Sequence, residues 1–218
     1  AAEISASARG LAGDRRATPR DDLSTPLTNA EVDGHRLSDL DFNLFFLLLV
    51  VAGNETTRNA ISHAMLALIE HPEQRQRLLD DPTLLDSAIE EFLRWASPVM
   101  HFRRTATADT ELHGQPIAAG DRVVIWHISA NRDEDVFPDP FTFDIGRTAD
   151  KGGAPVAFGG GGAPYCLGAN LARAEMKVML GELLARIPDM ELDGSVDRLR
   201  SNFINGIKRM PVRYTPVA

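Results

Sequence analysis

Residues 158–173 read FGGGGAPYCLGANLAR, a glycine-rich loop that runs through the only cysteine of the chain, Cys166, into an apolar helix. Four consecutive glycines allow backbone N–H groups to approach a ligand closely and to adopt conformations with positive φ. A helix that begins directly after a cysteine favours its thiolate form. A lone cysteine is more often an inert core residue, but such a residue does not require this loop. The pattern therefore predicts a metal-binding thiolate at Cys166.

Three other interpretations of this loop are weaker. A phosphate-binding loop would continue with Lys and then Ser or Thr, whereas Ala-Pro-Tyr follows the glycines here. A cysteine nucleophile needs a base, and the loop contains no histidine. A flexible linker would not lead into an apolar helix.

A second pattern predicts one long helix over residues 38–71. Apolar residues recur at helical spacing throughout it without a proline, and Ser38 followed by Asp41 resembles a capping box. The central run Leu44–Ala52, LFFLLLVVA, is apolar all round, so we expect it to be buried in a core. It is too short to span a bilayer, and we expect no stable membrane insertion.

The middle of this helix, Ala52-Gly-Asn-Glu-Thr-Thr57, carries a local conflict. Glycine costs about 1 kcal/mol relative to alanine inside a helix, and neighbouring threonines are poor helix formers. Threonine hydroxyls can also bond the carbonyl one turn back and bend the helix. We expect a bent or π-bulged segment, which is where functional groups often lie. The plainer alternative is a packing glycine, Gly53, beside a buried and partly solvated Glu55.

The composition restricts the possible partners and the compartment. The 218 residues carry a net charge of −8 and include a single cysteine. An acidic chain without clustered Lys and Arg is unsuited to nucleic acid, so no nucleic-acid partner is expected. One cysteine excludes an intramolecular disulfide, and no secretory signal is visible, so a cytoplasmic location is expected. The first residue is Ala1 rather than methionine, which suggests a fragment or a processed chain.

The remaining segments predict a mainly α chain with a minor antiparallel β part. Residues 10–22 are polar and broken by Gly and Pro, which indicates a loop. Residues 102–126 have a β-rich character punctuated by turns. Asn205-Gly206 near the end of the chain is a possible turn.

Taken together, these motifs resemble cytochrome P450 enzymes. FGGGGAPYCLGANLAR is similar to the haem-binding loop of that family, AGNETTRN to its oxygen-activating motif, and the tail from Leu199 to its C-terminal hairpin. The resemblance implies haem b held by Cys166 as the axial thiolate, with O2 as co-substrate. It covers the C-terminal, haem-binding half of the fold, as one partial domain over residues 1–218, so the N-terminal half is expected to be missing. Within this domain, 38–71 would be the oxygen-activating helix and 157–187 the cysteine loop with its following helix.

The resemblance also implies roles for individual residues. Thr56 would hydrogen-bond the dioxygen that is activated, and Glu55 would relay protons to it from solvent. Arg104 would reach a haem propionate, a bidentate contact that suits a guanidinium. The other residues expected to contact the haem are Ala52, Gly53, Val99, Ala157, Phe158, Gly159, Gly168 and Ala172.

The loop departs from the family pattern at two points. Phe158 lies one residue farther from the cysteine than in the commonest spacing. Pro164 stands where many bacterial members have a His or Arg that bonds a propionate, which removes one expected haem anchor.

A further motif, Glu91 with Arg94, forms an i, i+3 pair among apolar neighbours, which favours a buried ion pair. In the family this pair is structural and ties its helix to the irregular segment before the cysteine loop. The Arg that usually joins it is replaced here by Thr142. Either Arg132 or Arg147 could take its place.

The implied activity is a monooxygenase that hydroxylates an apolar substrate, with a steroid or a long-chain lipid as the expected class. Electrons would come from a ferredoxin-type donor served by an NAD(P)H-dependent reductase, and Arg173 and Lys177 could form part of its docking site. A haem-binding or inactive fragment without turnover is one alternative, and a peroxide-driven peroxygenase is another. Neither alternative would need the pair Glu55 and Thr56, which favours the monooxygenase.

Overall fold

A computed structural model describes residues 2–147, 153–162 and 164–215. The helices run over α1 (Ala2–Ala17), α2 (Ser24–Thr28), α3 (Asp39–Glu70), α4 (Pro72–Asp80), α5 (Leu85–Ala96), α6 (His127–Ala130) and α7 (Ala169–Arg186). The strands are β1 (Glu31–Val32), β2 (His35–Arg36), β3 (His101–Thr105), β4 (Thr110–Leu112), β5 (Gln115–Ile117), β6 (Arg122–Trp126), β7 (Glu191–Leu192), β8 (Asp197–Arg198), β9 (Ile207–Arg209) and β10 (Val212–Arg213). They form antiparallel pairs: β1 with β2, β3 with β6, β4 with β5, β7 with β10 and β8 with β9. The expected mainly α class with a minor antiparallel β part is confirmed.

The chain divides into two compact units, residues 1–55 and residues 56–218. In the first unit Ala8 and Ala12 of α1 are buried against Phe42 of α3. The predicted loop over residues 10–22 is therefore wrong up to residue 17, where α1 ends. Burial of the two alanines outweighs the low helix propensity of the glycines between and after them.

Helix α3 begins and ends within one residue of the predicted bounds. Its N-terminus has the expected cap, because the Ser38 and Asp41 side chains are hydrogen-bonded at 2.6 Å and each accepts from the other's backbone N–H at 3.2 Å. The helix is α-helical throughout Asp39–Glu70, so the predicted π-bulge near Gly53 is absent.

The expected burial of α3 is correct for one of its halves and wrong for the other. In the second unit, the following residues of α3 belong to the core: Ala60, Ala64, Met65, Ala67 and Leu68. In the first unit, Leu44, Leu48 and Val51 are 56%, 59% and 59% exposed. The reason is that the described residues of this unit cover only the stripe of α3 that carries Phe42, whereas the run is apolar all round. By length and composition alone α3 could cross a membrane, with 11% of its most apolar 18-residue window buried, and the absence of membrane insertion stays a prediction.

The core of the second unit lies between the end of α3, helix α5 and helix α7. Leu68, Phe92, Met176 and Leu180 are almost completely buried there. Helix α5 ends at Ala96 and is capped by Ser97, which has a φ of 39° and precedes Pro98. Apolar contact between α5 and α7 thus fixes the helix that follows the cysteine loop.

The tail of the chain closes against the segment between α5 and β3. The backbone N–H of Met100 donates to Phe203 O at 2.8 Å, and that of Asn205 donates to Pro98 O at 3.0 Å. The possible turn at Asn205-Gly206 is not formed, because neither residue has the positive φ of a type I′ hairpin turn and neither lies in a turn. Gly206 instead allows close approach, since an added Cβ would lie 3.0 Å from Leu199 Cβ.

Candidate functional site

The cysteine loop is closed by a hydrogen bond between its two ends. The chain enters through a 3-10 turn, Val156–Phe158, and the N–H of Cys166 donates to Phe158 O at 3.0 Å. Gly159 has a φ of +100°, a conformation that a residue with a side chain adopts only with strain. The sequence therefore needs glycine directly after the turn to fold the loop back onto Phe158.

The helix after the cysteine begins two residues later than predicted. Gly168 is the residue before the first turn of α7, and the N–H of Ala169 donates to Cys166 O at 3.3 Å. A Cβ added at Gly168 would lie 4.0 Å from Cys166 Sγ, so the glycine leaves space beside the sulfur. Ala172, half-buried one turn on, donates its N–H to Gly168 O at 2.9 Å.

These residues fit a flat, largely apolar group that is ligated by a thiolate. Cys166 is a free, exposed thiol. Leu167, the next residue in the chain, and Leu171, in the first turn of α7, are 79% and 61% exposed. Exposed apolar side chains next to an accessible sulfur are what the porphyrin ring of haem would cover.

The residues on the entry side of the loop are held by the core. Ala157 and Phe158 pack against the apolar core of the second unit, and Gly159 is half-buried. The Phe158 ring lies 6.4 Å from that of Tyr165, centroid to centroid. The loop is thus anchored through Phe158 while its cysteine stays accessible.

Arg173 and Lys177 of helix α7 both form ion pairs with α5. The sequence suggested these two residues as part of an electron-donor docking site. Arg173 Nε lies 2.5 Å from Glu90 Oε1, and Lys177 Nζ lies 2.7 Å from Asp86 Oδ1. Arg173 also stacks on Phe158, with Cζ 4.5 Å from the ring centroid. Hydrogen bonding to Glu90, against a smaller opposing effect of burial, raises the pKa of Arg173 above its usual value.

The Glu91–Arg94 pair is buried, as expected. Arg94 Nε donates to Glu91 Oε2 at 2.6 Å and Nη2 donates to Oε1 at 2.7 Å, with both residues 1% exposed. The remaining Arg94 donors bond the carbonyls of Asn131, Pro140 and Thr142 at 2.8–3.2 Å. The pair therefore fixes the irregular segment that leads to the cysteine loop.

Arg147 is the third partner of this pair, and Arg132 is not. Arg147 Nε lies 3.2 Å from Glu91 Oε2, and its other nitrogens donate to the carbonyls of Pro138, Asp139 and Thr142. Arg132 instead donates to Trp95 O at 2.9 Å and lies over the Trp95 ring. Burial, and then repulsion from Arg94, lower the pKa of Arg132.

Asn131 is a structural residue that the sequence reasoning missed. Its side chain is fully buried, with Oδ1 accepting from Val156 N at 2.8 Å and Nδ2 donating to Ser97 Oγ at 2.9 Å. It therefore links the end of α5 to the 3-10 turn that opens the cysteine loop. A single asparagine in an irregular acidic segment gives no periodic signal from which this role could be read.

The residues around β3 occupy two different environments. Val99 is half-buried and forms an isolated bridge with Ile204. Arg104 is exposed, where Nη1 donates to Arg103 O at 3.1 Å and the guanidinium lies 5.9 Å from the Phe102 ring centroid. An exposed guanidinium on a strand is free to meet an anionic group.

The residues of the predicted oxygen-activating motif fall in both units. Ala52 and Gly53 are exposed and Glu55 is half-buried in the first unit. Thr56 is half-buried in the second unit, which also holds Cys166. An added Cβ at Gly53 would meet no atom of the described residues within 4 Å, so packing among these residues does not require a glycine there.

The comparisons with known proteins agree on one family. A profile of the family described as Cytochrome P450 matches residues 9–188. A methyl-branched lipid omega-hydroxylase of Mycobacterium tuberculosis is 53% identical over 215 residues, which cover 98% of this chain and 50% of that protein. A steroid C26-monooxygenase of the same organism is 45% identical over 220 residues, covering 100% and 50%.

Solved structures agree with these relatives. A Mycobacterium marinum cytochrome P450 in complex with pseudoionone has a TM-score of 0.90 at 48% identity, covering 97% of this chain and 50% of that one. A Bacillus megaterium cytochrome P450 in complex with testosterone has a TM-score of 0.90 at 38% identity, covering 97% and 58%. The chain spans about half the length of the relatives it matches.

The family match includes the long helix α3, the Glu91–Arg94 pair and the cysteine loop, since all three lie within residues 9–188. The matched residues make up most of the chain, and the solved relatives share its fold. The chain therefore belongs to the cytochrome P450 family.

Proposed function

We propose that this chain is the haem-binding part of a monooxygenase that hydroxylates an apolar lipid, with Cys166 as the residue that would hold the haem iron as a thiolate. The observation that carries the proposal is the geometry of the cysteine loop. Its ends are fixed by the bond from Cys166 N to Phe158 O, while the thiol itself is exposed beside apolar side chains. A cysteine buried for packing alone would not combine a fixed loop with an accessible sulfur.

When bound, haem supplies the iron at which O2 is activated, and the thiolate favours cleavage of the O–O bond. The chain's own residues hold the group and deliver protons. The Thr56 hydroxyl would donate a hydrogen bond on the oxygen-binding side of the pocket, and Glu55 would carry protons there from solvent. Arg104 pairs with a propionate, and the remaining proposed contacts are Ala52, Gly53, Val99, Ala157, Phe158, Gly159, Gly168 and Ala172.

The proposed reaction inserts one oxygen atom of O2 into a C–H bond of the substrate and releases the other as water. Two electrons and two protons balance it, and a ferredoxin-type donor with its NAD(P)H-dependent reductase supplies the electrons. A steroid or a methyl-branched or other long-chain lipid is the proposed substrate class. The support for this class is that two relatives about half identical to the chain are named for a methyl-branched lipid and for a steroid.

The proposed setting is a cytoplasmic protein that includes the other half of the fold. The chain spans about half of its relatives, and the apolar side chains of Leu44, Leu48 and Val51 are more than half exposed. A cluster of apolar side chains is stable in water when other residues cover it. We propose that the N-terminal half of the fold, joined to this chain or added separately, covers them and closes the substrate pocket.

The reduced, CO-bound absorption spectrum tests the ligand. The chain is reconstituted with haem, alone and together with the N-terminal half of a relative, and a thiolate-type Soret band is expected. Cys166→Ser should abolish that band, and the same chain carrying Ser129→Ala is the matched control. A histidine-type spectrum in the unsubstituted chain, or a band that survives Cys166→Ser, would contradict the proposal.

The ratio of product formed to O2 consumed tests the proton delivery. Thr56→Ala should lower that ratio at least several-fold while O2 consumption continues, and Thr56→Ser should restore most of it because the hydroxyl is kept. An unchanged ratio in Thr56→Ala contradicts the role of Thr56. Haem binding without any product from the unsubstituted, reassembled protein would instead favour a haem-binding protein without turnover.

A further inference from the structure

Arg173 joins helix α5 to the cysteine loop through one planar guanidinium. Its Nε and Nη2 donate to the two carboxylate oxygens of Glu90 at 2.5 Å and 3.0 Å, a bidentate pair. The same guanidinium lies over the Phe158 ring, with Cζ 4.5 Å from the centroid.

Phe158, whose ring Arg173 contacts, and Tyr165 are the two ends of the loop. Phe158 supplies the carbonyl that accepts from Cys166 N at 3.0 Å, and Tyr165 is the residue immediately before Cys166. Their rings lie 6.4 Å apart. Between them run the four glycines, which have the largest conformational freedom to lose. Because Cys166 is hydrogen-bonded to Phe158, a contact that holds Phe158 limits how far the cysteine can move.

The neighbouring pair Lys177–Asp86 shows that joining the two helices does not require contact with the loop. Lys177 lies one turn after Arg173 on α7, and its Nζ is 2.7 Å from Asp86 Oδ1 on α5. Both side chains of this pair are more than half exposed, against 31% and 34% for Arg173 and Glu90. The two pairs join the same helices, but Arg173 also contacts an aromatic ring of the loop.

We propose that Arg173 is a positioning residue that clamps the Phe158 end of the cysteine loop onto α5 and so fixes where the Cys166 sulfur is presented. Arginine suits this role because its planar guanidinium can form a bidentate pair at its edge while its face stacks on an aromatic ring. Lysine has a compact ammonium that can do only one of the two. The inference builds on the proposed function, since the position of the sulfur matters for catalysis only if it binds the iron.

Amide hydrogen exchange in the haem-free chain tests the clamp without relying on haem. Arg173→Met should speed exchange at the Cys166 amide, whose partner is Phe158 O, about tenfold or more. Arg173→Lys should give an intermediate rate, because the charge pair with Glu90 is kept and the flat stack is lost. Lys177→Met, the matched control, should leave the Cys166 amide unchanged.

Two outcomes of this exchange experiment would overturn the clamp. One is an unchanged rate at the Cys166 amide in Arg173→Met. The other is an equal acceleration in Lys177→Met, which would mean that general loosening of the α5–α7 contact is responsible. Glu90→Gln is a second variant from the other side of the pair, and it should accelerate exchange in the same direction as Arg173→Met.

The CO-bound spectrum separates failure of the clamp from failure of the proposed ligand. If Cys166 binds the iron, Arg173→Met should reduce the thiolate-type fraction of the spectrum more than Arg173→Lys does, and Lys177→Met should not reduce it. If the unsubstituted protein shows no thiolate-type band, the proposed function fails while the exchange result still decides the clamp. Equal thiolate-type fractions in all variants would show that the clamp does not govern presentation of the sulfur.

Discussion

The two halves of helix α3 are both strongly apolar and lie in opposite surroundings. From residue 60 to residue 68, the buried stretch, Leu68 is 0% and Leu66 is 3% exposed. From residue 44 to residue 51, the exposed stretch, Leu44 is 56% and Leu48 is 59% exposed. Burying one such side chain contributes about 1.5–3 kcal/mol, so the exposed stretch leaves much of its apolar surface unused.

The two stretches show that a hydrophobic pattern predicts which side chains must be covered, but not which residues cover them. For the buried stretch, the cover comes from the same unit, where Phe92, Met176 and Leu180 belong to the same core. For the exposed stretch, the described residues of its own unit cover only the side that carries Phe42 and Phe46. The buried core and its ion pairs should therefore respond strongly to substitution in this chain, and the exposed stretch should not.

The largest loss of stability is expected when one partner of the buried ion pair in the second unit is removed. Arg94→Ala should lower the free energy of unfolding by about 3–5 kcal/mol, because it leaves Glu91 charged, buried and without its main partner. Urea unfolding followed by tryptophan fluorescence measures this, since Trp95 and Trp126 both lie in the second unit. The control is Arg186→Ala, whose pair with Glu182 is exposed and contributes about 0.3–0.5 kcal/mol. Similar losses in the two variants would contradict the distinction.

Paired leucine substitutions compare the two stretches of α3 directly. Leu68→Ala should cost about 2–5 kcal/mol, because the cavity forms among fully buried residues. Leu48→Ala should change stability by less than about 0.5 kcal/mol in this chain, because Leu48 is largely exposed. Urea unfolding of both variants measures the difference. With the N-terminal half of the fold added, Leu48→Ala should weaken assembly, and equal assembly with and without Leu48 would contradict the proposed cover.

The features that sequence could predict depend on local pattern. The bounds of α3 and its cap at Ser38 and Asp41 follow from hydrophobic periodicity and from one short motif. The loop around Cys166 follows from its glycines and from the helix after it. Burial of Glu91 with Arg94 follows from their apolar neighbours. Each of these is decided within a few residues of the motif itself.

The features that sequence could not predict depend on contacts between distant residues. Arg147 meets Glu91 across 56 positions of the chain, and nothing local distinguishes it from Arg132. Asn131 is buried because Val156 and Ser97 both bond it. Helix α1 continues through two glycines because its alanines pack on α3, which no local propensity indicates.

A decrease in pH should weaken the second unit, by less than either core substitution. Burial lowers the pKa of His63, and its hydrogen bond to Asn205 O at 2.9 Å opposes this shift without cancelling it. The unfolded chain therefore binds the proton more readily, and the contribution of neutral His63 is present above about pH 6.5 and is lost as pH falls below it. Urea midpoints at pH 7.5 and 5.5 measure the change.

The control for this pH effect is His63→Gln, which keeps a donor for the Asn205 carbonyl and cannot titrate. The difference between the two midpoints should shrink in this variant. It should not vanish, because burial also lowers the pKa of His127 and acts in the same direction. A difference as large as in the unsubstituted chain would contradict a titrating role for His63.

The smallest effect is expected at the N-terminus of α3, just before the exposed stretch. Ser38→Ala removes the side-chain oxygen that accepts from Asp41 N at 3.2 Å, and it should cost about 1 kcal/mol of local helix stability. Faster amide exchange at Asp41 and Phe42, with an unchanged urea midpoint, is the expected result. Ser62→Ala is the matched control, since that hydroxyl only donates to Arg58 O within the helix. The contrary result is a shift in the urea midpoint that the tryptophans of the second unit report. It would mean that the exposed and buried stretches of α3 unfold together as one cooperative helix.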